Sequence, residues 1–256
     1  MDIHKTAVID PKAKIADDVV IGPYSVVHAF AQIGSGTKIG EHCIVCEHAT
    51  IGKNCEIFTG TVIGSVSQDK KFKGEESYTK IGDNNIIREY VTINRGTDKG
   101  SMTTIGNDNL LMAYAHVAHD CSIGNGVVIA NCGTLAGHVT VEDKVIVGGL
   151  AAAHQFVHIG ELSIIGGCSK IIKDVVPYAM CDGHPARVYG LNSVGMGRAG
   201  IPDETKHTLK KAFKILFFEK LNIKSAIAKI SKQIPFSAEI DKLISFINSS
   251  ERGISR

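Results

Sequence analysis

The sequence predicts a mainly β protein, a coil of very short strands followed by a small α-helical C-terminal domain. Three observations predict it. Aliphatic residues recur every six positions, small side chains recur four positions after them, and beyond Pro202 both rhythms give way to helical spacing. A period of six with two inward positions matches neither the 3.6 residues of a helical turn nor the 2.0 of one long strand. It matches a short strand, a turn and another short strand.

The first block runs without a miss from Ile3 through Ile9, Ile15, Ile21, Val27, Ile33, Ile39, Val45, Ile51 and Ile57 to Ile63. Its small positions are Ala7, Ala13, Val19, Ser25, Ala31, Thr37, Cys43, Ala49, Cys55 and Thr61, and glycine often follows the aliphatic directly, as at Gly22, Gly82 and Gly106. The register resumes at Ile81, Ile87 and Ile93, and again from Ile105 and Leu111 to Ile171. The interruptions, near 65–80 and 96–104, are expected as loops thrown out of the coil, and such loops usually serve binding. A neutral surface insertion is the alternative.

In the tail, Leu209, Phe213, Leu216 and Phe217, then Ile223, Ile227, Ile230 and Ile234, then Ile240, Leu243, Ile244 and Ile247 mark three amphipathic helices. Pro235 ends the second and Ser237 caps the third. The division is therefore 1–190 for the coil, and 191–256 for a connecting segment and the helical domain.

The chain has 256 residues, 44% of them hydrophobic, enough for a sizeable core, and its net charge of +2 argues against nucleic acid as a main partner. Lys210, Lys211, Lys214, Lys220, Lys224 and Lys229 crowd the tail, either as a solvated face or as contacts for an acidic protein. The charged N-terminus carries no secretory signal, and no apolar stretch approaches the roughly 20 residues of an integral membrane segment. Seven cysteines without a framework fit reduced thiols, so a cytoplasmic location is expected.

Val117, Leu135 and Ala153 stand 18 apart, so they share one face on successive coils, and His119, His138 and His154 follow them at one edge. Asp120 and His138, also 18 apart, should stack. These side chains are expected to point outward, open to water. Imidazole titrates near pH 6.5, so such a ladder can take a proton and return it. His4, His28, His42, His48 and His207 read as ordinary histidines. Zinc needs every ligand within about 2.0–2.1 Å. His119 and His154 lie roughly 10 Å apart along the coil axis, so no metal is expected. Cys43 and Cys46 face different ways, Cys55 and Cys121 fill small inward slots, and no cysteine nucleophile is expected.

The strings NLLMAYAHVAHDC, LAGHVTV, AAAHQFVHIG and GGCSKIIKDVVPYAMCDG, in that order, resemble the UDP-N-acetylglucosamine acyltransferase family of hexapeptide-repeat transferases across nearly the whole chain. The resemblance implies a left-handed parallel β-helix, a triangular prism of three hexads per turn; that hand departs from the usual crossover rule. It implies transfer of an (R)-3-hydroxyacyl group from acyl carrier protein to the 3-position of UDP-N-acetylglucosamine, the first step of lipid A biosynthesis. No cofactor is implied, because the acyl donor arrives on the carrier protein's phosphopantetheine. The family works as a homotrimer with its sites in clefts between prisms.

The same resemblance makes His119 the general base, Asp120 its orienting partner and Gly137 the backbone N–H donor to the oxyanion. His116, His138, His154 and Gln155 match sugar-, diphosphate- or acyl-contacting positions. VSQDKKFKGE resembles a sugar-binding loop, making Asp69 and Lys71 acceptor ligands, and Gly167 matches the floor of the acyl groove. Asn192 and Arg198 match residues near the uridine diphosphate, but Val194 and Ala199 stand where an acidic and a second basic residue are usual. Asn94 replaces a histidine in a VTIxRGT string, near the expected sugar site. The hydroxyl acceptor is favoured over a 3-amino analogue. The rivals are the related N-acyltransferase, which carries an N-terminal domain for which hexads beginning at Ile3 leave no room, and a non-catalytic hexapeptide scaffold.

Overall fold

A computed structural model describes residues 2–256. Up to Ile171, each aliphatic of the six-residue rhythm lies in a strand of two to four residues. The strands stack into three parallel sheets of eleven, nine and eight strands, counting a closing hairpin in the first. They form the three faces of a left-handed β-helix. Equivalent strands are one coil apart, as in the pairs Val20↔Lys38 and Ile21↔Ile39.

The two insertions preserve this register. Glu56 pairs with Ile86, 30 residues on, and Ile86 with Leu110, 24 residues on, in place of 18. The chain thus inserts whole hexads, which is why the rhythm resumes in phase. Both loops are shorter than expected, because Tyr78–Ile81 and Met102–Ile105 are strands paired with each other.

The inward aliphatics form the core, with Ile63, Ile87, Leu111 and Leu135 wholly buried. Each contributes about 1.5–3 kcal/mol by leaving water. Polar residues at the small positions are satisfied between coils: Ser25 donates to Gly40 O at 2.8 Å and accepts the Cys43 N–H at 2.9 Å. The third residue after a strand end is usually left-handed, with φ of 59° at Tyr24, 58° at Asp120 and 61° at His138. The cost, about 1–2 kcal/mol for an L-residue, is therefore repeated along the coil and is not a strain special to one site.

Regular hexads stop before residue 190. Ile164 pairs with Met180, only 16 residues on, and the strand Ala179–Gly183 then turns into an antiparallel hairpin with Ala186–Leu191. Four α-helices follow: α1 (Ser193–Arg198), α2 (Asp203–Phe213), α3 (Ile223–Gln233) and α4 (Ala238–Ser249), with α2 running into a π-helical turn at Lys214–Phe218. Sequence spacing misses α1, whose two glycines and six residues carry no periodic signal. Ser237 caps α4 by accepting the Ile240 N–H.

Candidate active site

The histidines gather at one corner of the prism. Residues 118–121, 136–139 and 154–157 each join a strand of the second sheet to one of the third. Both insertions span the same corner, leaving the strands Val62–Ser65 and Thr92–Asn94 and rejoining at Tyr78–Ile81 and Met102–Ile105. They fold back over the edge. In consequence His119, expected to point outward into water, is buried at 5% exposure.

His119 Nδ1 lies 2.9 Å from Asp120 Oδ2 and 2.9 Å from Thr97 Oγ1. The Thr97 N–H donates to both Asp120 oxygens, at 3.3 and 3.1 Å. Burial pushes the Asp120 pKa up, but His119, Ser101 and Thr97 together outweigh it and hold the carboxyl below its usual range. An ionised carboxylate only accepts, so the ring proton facing it sits on Nδ1 and Nε2 is the free proton acceptor. The nearest acid to Nε2 is Asp69, whose Oδ2 is 4.0 Å away. His138 meets His119 edge-on at 5.2 Å and stacks on Phe156 at 4.5 Å. Its Nε2 comes within 3.8 Å of Asp120 Oδ2, as the 18-residue stacking requires.

A cavity of about 500 Å³ opens at this corner, lined by Gln68, Asp69, Lys70, His116, Ala118, His119, Thr134, Ala136, Gly137 and Gln155. His116 is held by Thr92 Oγ1 at 2.7 Å, and burial lowers its pKa, favouring the neutral ring. The Gly137 carbonyl accepts the Phe156 N–H, while its own N–H has no acceptor among the described residues. His154 is exposed beside the cavity wall, its Nδ1 3.2 Å from Arg252 of the C-terminal tail.

Several expected site residues sit elsewhere. Lys70 lines the cavity where the resemblance puts Lys71; Lys71 is exposed, its N–H bound to Asp69 Oδ1 at 2.8 Å. Asn94 neither faces the cavity nor caps a turn. It is buried at 2% and donates to Ser65 Oγ at 2.8 Å and Val66 O at 3.0 Å, tying the base of one insertion to the other. Asn192 is buried as the cap of α1, accepting the Gly195 N–H at 2.9 Å and donating to Leu162 O at 2.7 Å. Arg198 is exposed at the end of α1, and Gly167 lies on the corner between the first and second sheets, so one chain does not bring either to the cavity. Thr97 and Ser67 are the residues that sequence reasoning missed. Thr97 lies inside the VTIxRGT string, but only contact reveals its task.

His119, Asp120 and His138 present ligand atoms all within 4.8 Å of one another, so this trio, and not His119 with His154, could hold a metal ion. Of the two His119 ring nitrogens, Nδ1 is already engaged by Asp120 and Thr97. Burial raises the thiol pKa of Cys43, Cys46, Cys55 and Cys181, and that of Cys121 to about 12, keeping these thiols protonated. A second cleft of about 510 Å³ lies between the hairpin and α2, apolar at Leu191, Phe213 and Phe218 and rimmed by Lys210, Lys211 and Lys214.

The left-handed β-helix carries a histidine–carboxylate pair opening on a corner cavity, and its relatives put it in the acyltransferase class. Residues 102–137 match the bacterial transferase hexapeptide family and residues 174–255 match "Udp N-acetylglucosamine O-acyltransferase; Domain 2". The chain is 52% identical to the acyl-[acyl-carrier-protein]--UDP-N-acetylglucosamine O-acyltransferase of Thermodesulfovibrio yellowstonii, over 100% of this chain and 99% of that one. Its counterpart in Syntrophobacter fumaroxidans is 44% identical, over 100% of both. The solved structure of LpxA, a UDP-N-acetylglucosamine acyltransferase from Bacteroides fragilis, superposes with a TM-score of 0.97 at 40% identity, covering 99% of each chain. LpxA from Acinetobacter baumannii superposes with a TM-score of 0.95 at 46% identity, again covering 99% of each. The chain belongs to the UDP-N-acetylglucosamine O-acyltransferase family.

Proposed function

We propose that this protein transfers an (R)-3-hydroxyacyl group from acyl carrier protein to the 3-hydroxyl of UDP-N-acetylglucosamine, opening lipid A biosynthesis in the cytoplasm. The observation that carries the reading is the commitment of His119 Nδ1 to Asp120, which leaves Nε2 as a base at a cavity large enough for a sugar. Nε2 takes the proton of the 3-hydroxyl as the oxygen attacks the thioester carbon. Asp120 steadies the imidazolium. The Gly137 N–H receives the oxyanion, a contribution worth about 3–4 kcal/mol in comparable sites. Collapse forms the ester and expels the phosphopantetheine thiolate, which recovers the proton from His119. No further cofactor enters.

Asp69, with Lys70 or Lys71 beside it, binds the acceptor; His116, His138, His154 and Gln155 line its path; Gly167 floors the acyl groove and Arg198 faces the diphosphate. Gly167 and Arg198 serve a neighbour's cleft in a homotrimer. Support comes from their distance from the cavity within one chain, and from the exposed column Tyr24, Tyr90, Tyr114 and Leu150 along the corner that carries Gly167. Light scattering should give three times the 27.4 kDa chain mass. The lysine-rimmed cleft beside α2 suits an acidic carrier protein.

The deciding assay incubates purified protein with UDP-N-acetylglucosamine and a series of 3-hydroxyacyl carrier proteins and follows ester at the 3-position. Amide formed on the 3-amino sugar without ester on the hydroxyl sugar would replace the acceptor. No transfer to either would return the chain to the scaffold reading.

A further inference from the structure

We infer that Thr97 is a positioning residue that locks the tautomer of the base and couples it to the acceptor-side insertion. The inference rests on His119 acting as the base. Thr97 comes from the second insertion and touches both members of the catalytic pair. Its Oγ1 is 2.9 Å from His119 Nδ1, and its N–H grips both oxygens of Asp120. The chain of contacts continues into the first insertion. Thr97 Oγ1 is 2.8 Å from Ser67 Oγ, and Ser67 Oγ accepts the Asp69 N–H at 3.1 Å. Asp69 lines the cavity.

Ser67 and Thr97 are each 6% exposed, so water cannot stand in for either hydroxyl. With Asp120 as an ionised acceptor and Thr97 Oγ1 as a second oxygen at Nδ1, a proton on Nδ1 meets two partners. A proton on Nε2 would instead leave the bare Nδ1 lone pair facing the carboxylate. With its own proton donated to Ser67 Oγ, Thr97 Oγ1 can only accept at Nδ1, and in that arrangement it biases the ring toward the form whose Nε2 can accept. Because its other contact is Ser67, movement of the Asp69 segment on binding the acceptor reaches the base through one buried hydroxyl pair. Asp120 holds Nδ1 from the corner itself, and Thr97, from the second insertion, meets the same nitrogen.

The test compares Thr97→Val, which keeps the shape and the N–H but removes the hydroxyl, with Thr97→Ser, which keeps the hydroxyl, and with Ser67→Ala. Two readouts are taken: kcat and KM for each substrate, and the imidazole ¹⁵N shifts of His119, assigned by difference from His119→Gln. Thr97→Val is expected to lower kcat about tenfold, the scale of one lost buried hydrogen bond, with KM for the acyl donor unchanged. Its ¹⁵N signals should move from a single Nδ1–H tautomer to a mixture. Thr97→Ser should restore both within about twofold, and Ser67→Ala should fall between. Wild-type kcat and an unchanged tautomer in Thr97→Val overturn the proposal, as does equal loss in the Val and Ser variants with an unmoved spectrum. Should Thr97→Val fail to fold, Ser67→Ala carries the same readouts, and wild-type kcat with an unchanged tautomer there overturns the proposal equally. The spectrum needs no turnover, so failure of the acyltransfer reading and failure of this one are told apart.

Discussion

The imidazole of His119 rests against the α-carbon of Gly137, one coil further on. A methyl group on that carbon would stand 2.3 Å from Cε1, 2.5 Å from Nε2 and 3.0 Å from Nδ1 of the ring. The glycine is therefore required by the position of the base, whatever its N–H does. Gly137→Ala is expected to push the ring off Asp120 and to lower kcat by about tenfold or more, while the coil stays folded. Steady-state kinetics beside circular dichroism checks this, and an alanine variant with wild-type kcat would show that the ring does not work from this position.

Removing the base has a larger effect. His119→Ala should cost at least about 10²-fold in kcat, the usual worth of a general base. Because the ring is buried against Asp120, some stability is lost too, about 1–3 kcal/mol for a carboxylate left short of a partner. Retention of more than a tenth of wild-type turnover would remove His119 from that role.

Asn94 fastens the insertions through its amide N–H groups, a role independent of the acceptor. Asn94→Ala should hasten proteolytic cutting within 66–77 and lower kcat/KM for 3-hydroxy and 3-amino UDP-sugars by the same factor. A change in the ratio of the two would restore a part for Asn94 in acceptor choice.

Glu142 joins the prism to the helical tail. It accepts the Glu161 N–H at 2.9 Å, lies 2.9 Å from His158 Nε2 and 3.4 Å from Lys242 of α4. Burial raises its pKa, but His158, the Glu161 N–H and Lys242 outweigh this and hold it below the usual carboxylate range. A carboxyl lowered in the folded state adds stability above its unfolded pKa, about 4.3, and loses it as pH falls through the lower folded value. Urea midpoints should therefore drop below about pH 4, and Glu142→Gln should flatten that part of the curve. An identical acid limb in the variant would exclude Glu142 as a contributor.

At Gly167 an added Cβ meets only Gly149 O, at 3.2 Å, a tight contact that the backbone relieves by shifting a few tenths of an ångström. Gly167→Met should shift donor preference toward shorter acyl chains. An unchanged ranking of chain lengths would take Gly167 out of the acyl groove.

The hexad rhythm made the prism legible, because a two-residue strand buries one side chain and any break in the period would put a polar group inside. It also located the histidine edge: Asp120 and His138 stack as their spacing demands. The burial of that edge was not legible. Counting hexads shows that Ile63, Ile93 and Val117 share a face, so both insertions leave at the His119 corner, but no count says that they fold inward. Asn94 and Asn192 show the same limit. Each matches a ligand position by resemblance, and each donates its amide N–H to the fold.

By itself the sequence determined the coil, its register through both insertions, the three longer helices and the His119–Asp120 pair, because all of these follow from local period and neighbouring positions. Tertiary structure alone decided that Thr97 and Ser67 close over the base, that Gly137 must lack a side chain beneath it, and that Lys70 shares the cavity wall. Those facts depend on segments 18 to 30 residues apart meeting across coils, as in Gly137 against His119 and Ser67 against Thr97. Contacts of that kind are set by how loops pack, which no periodicity encodes.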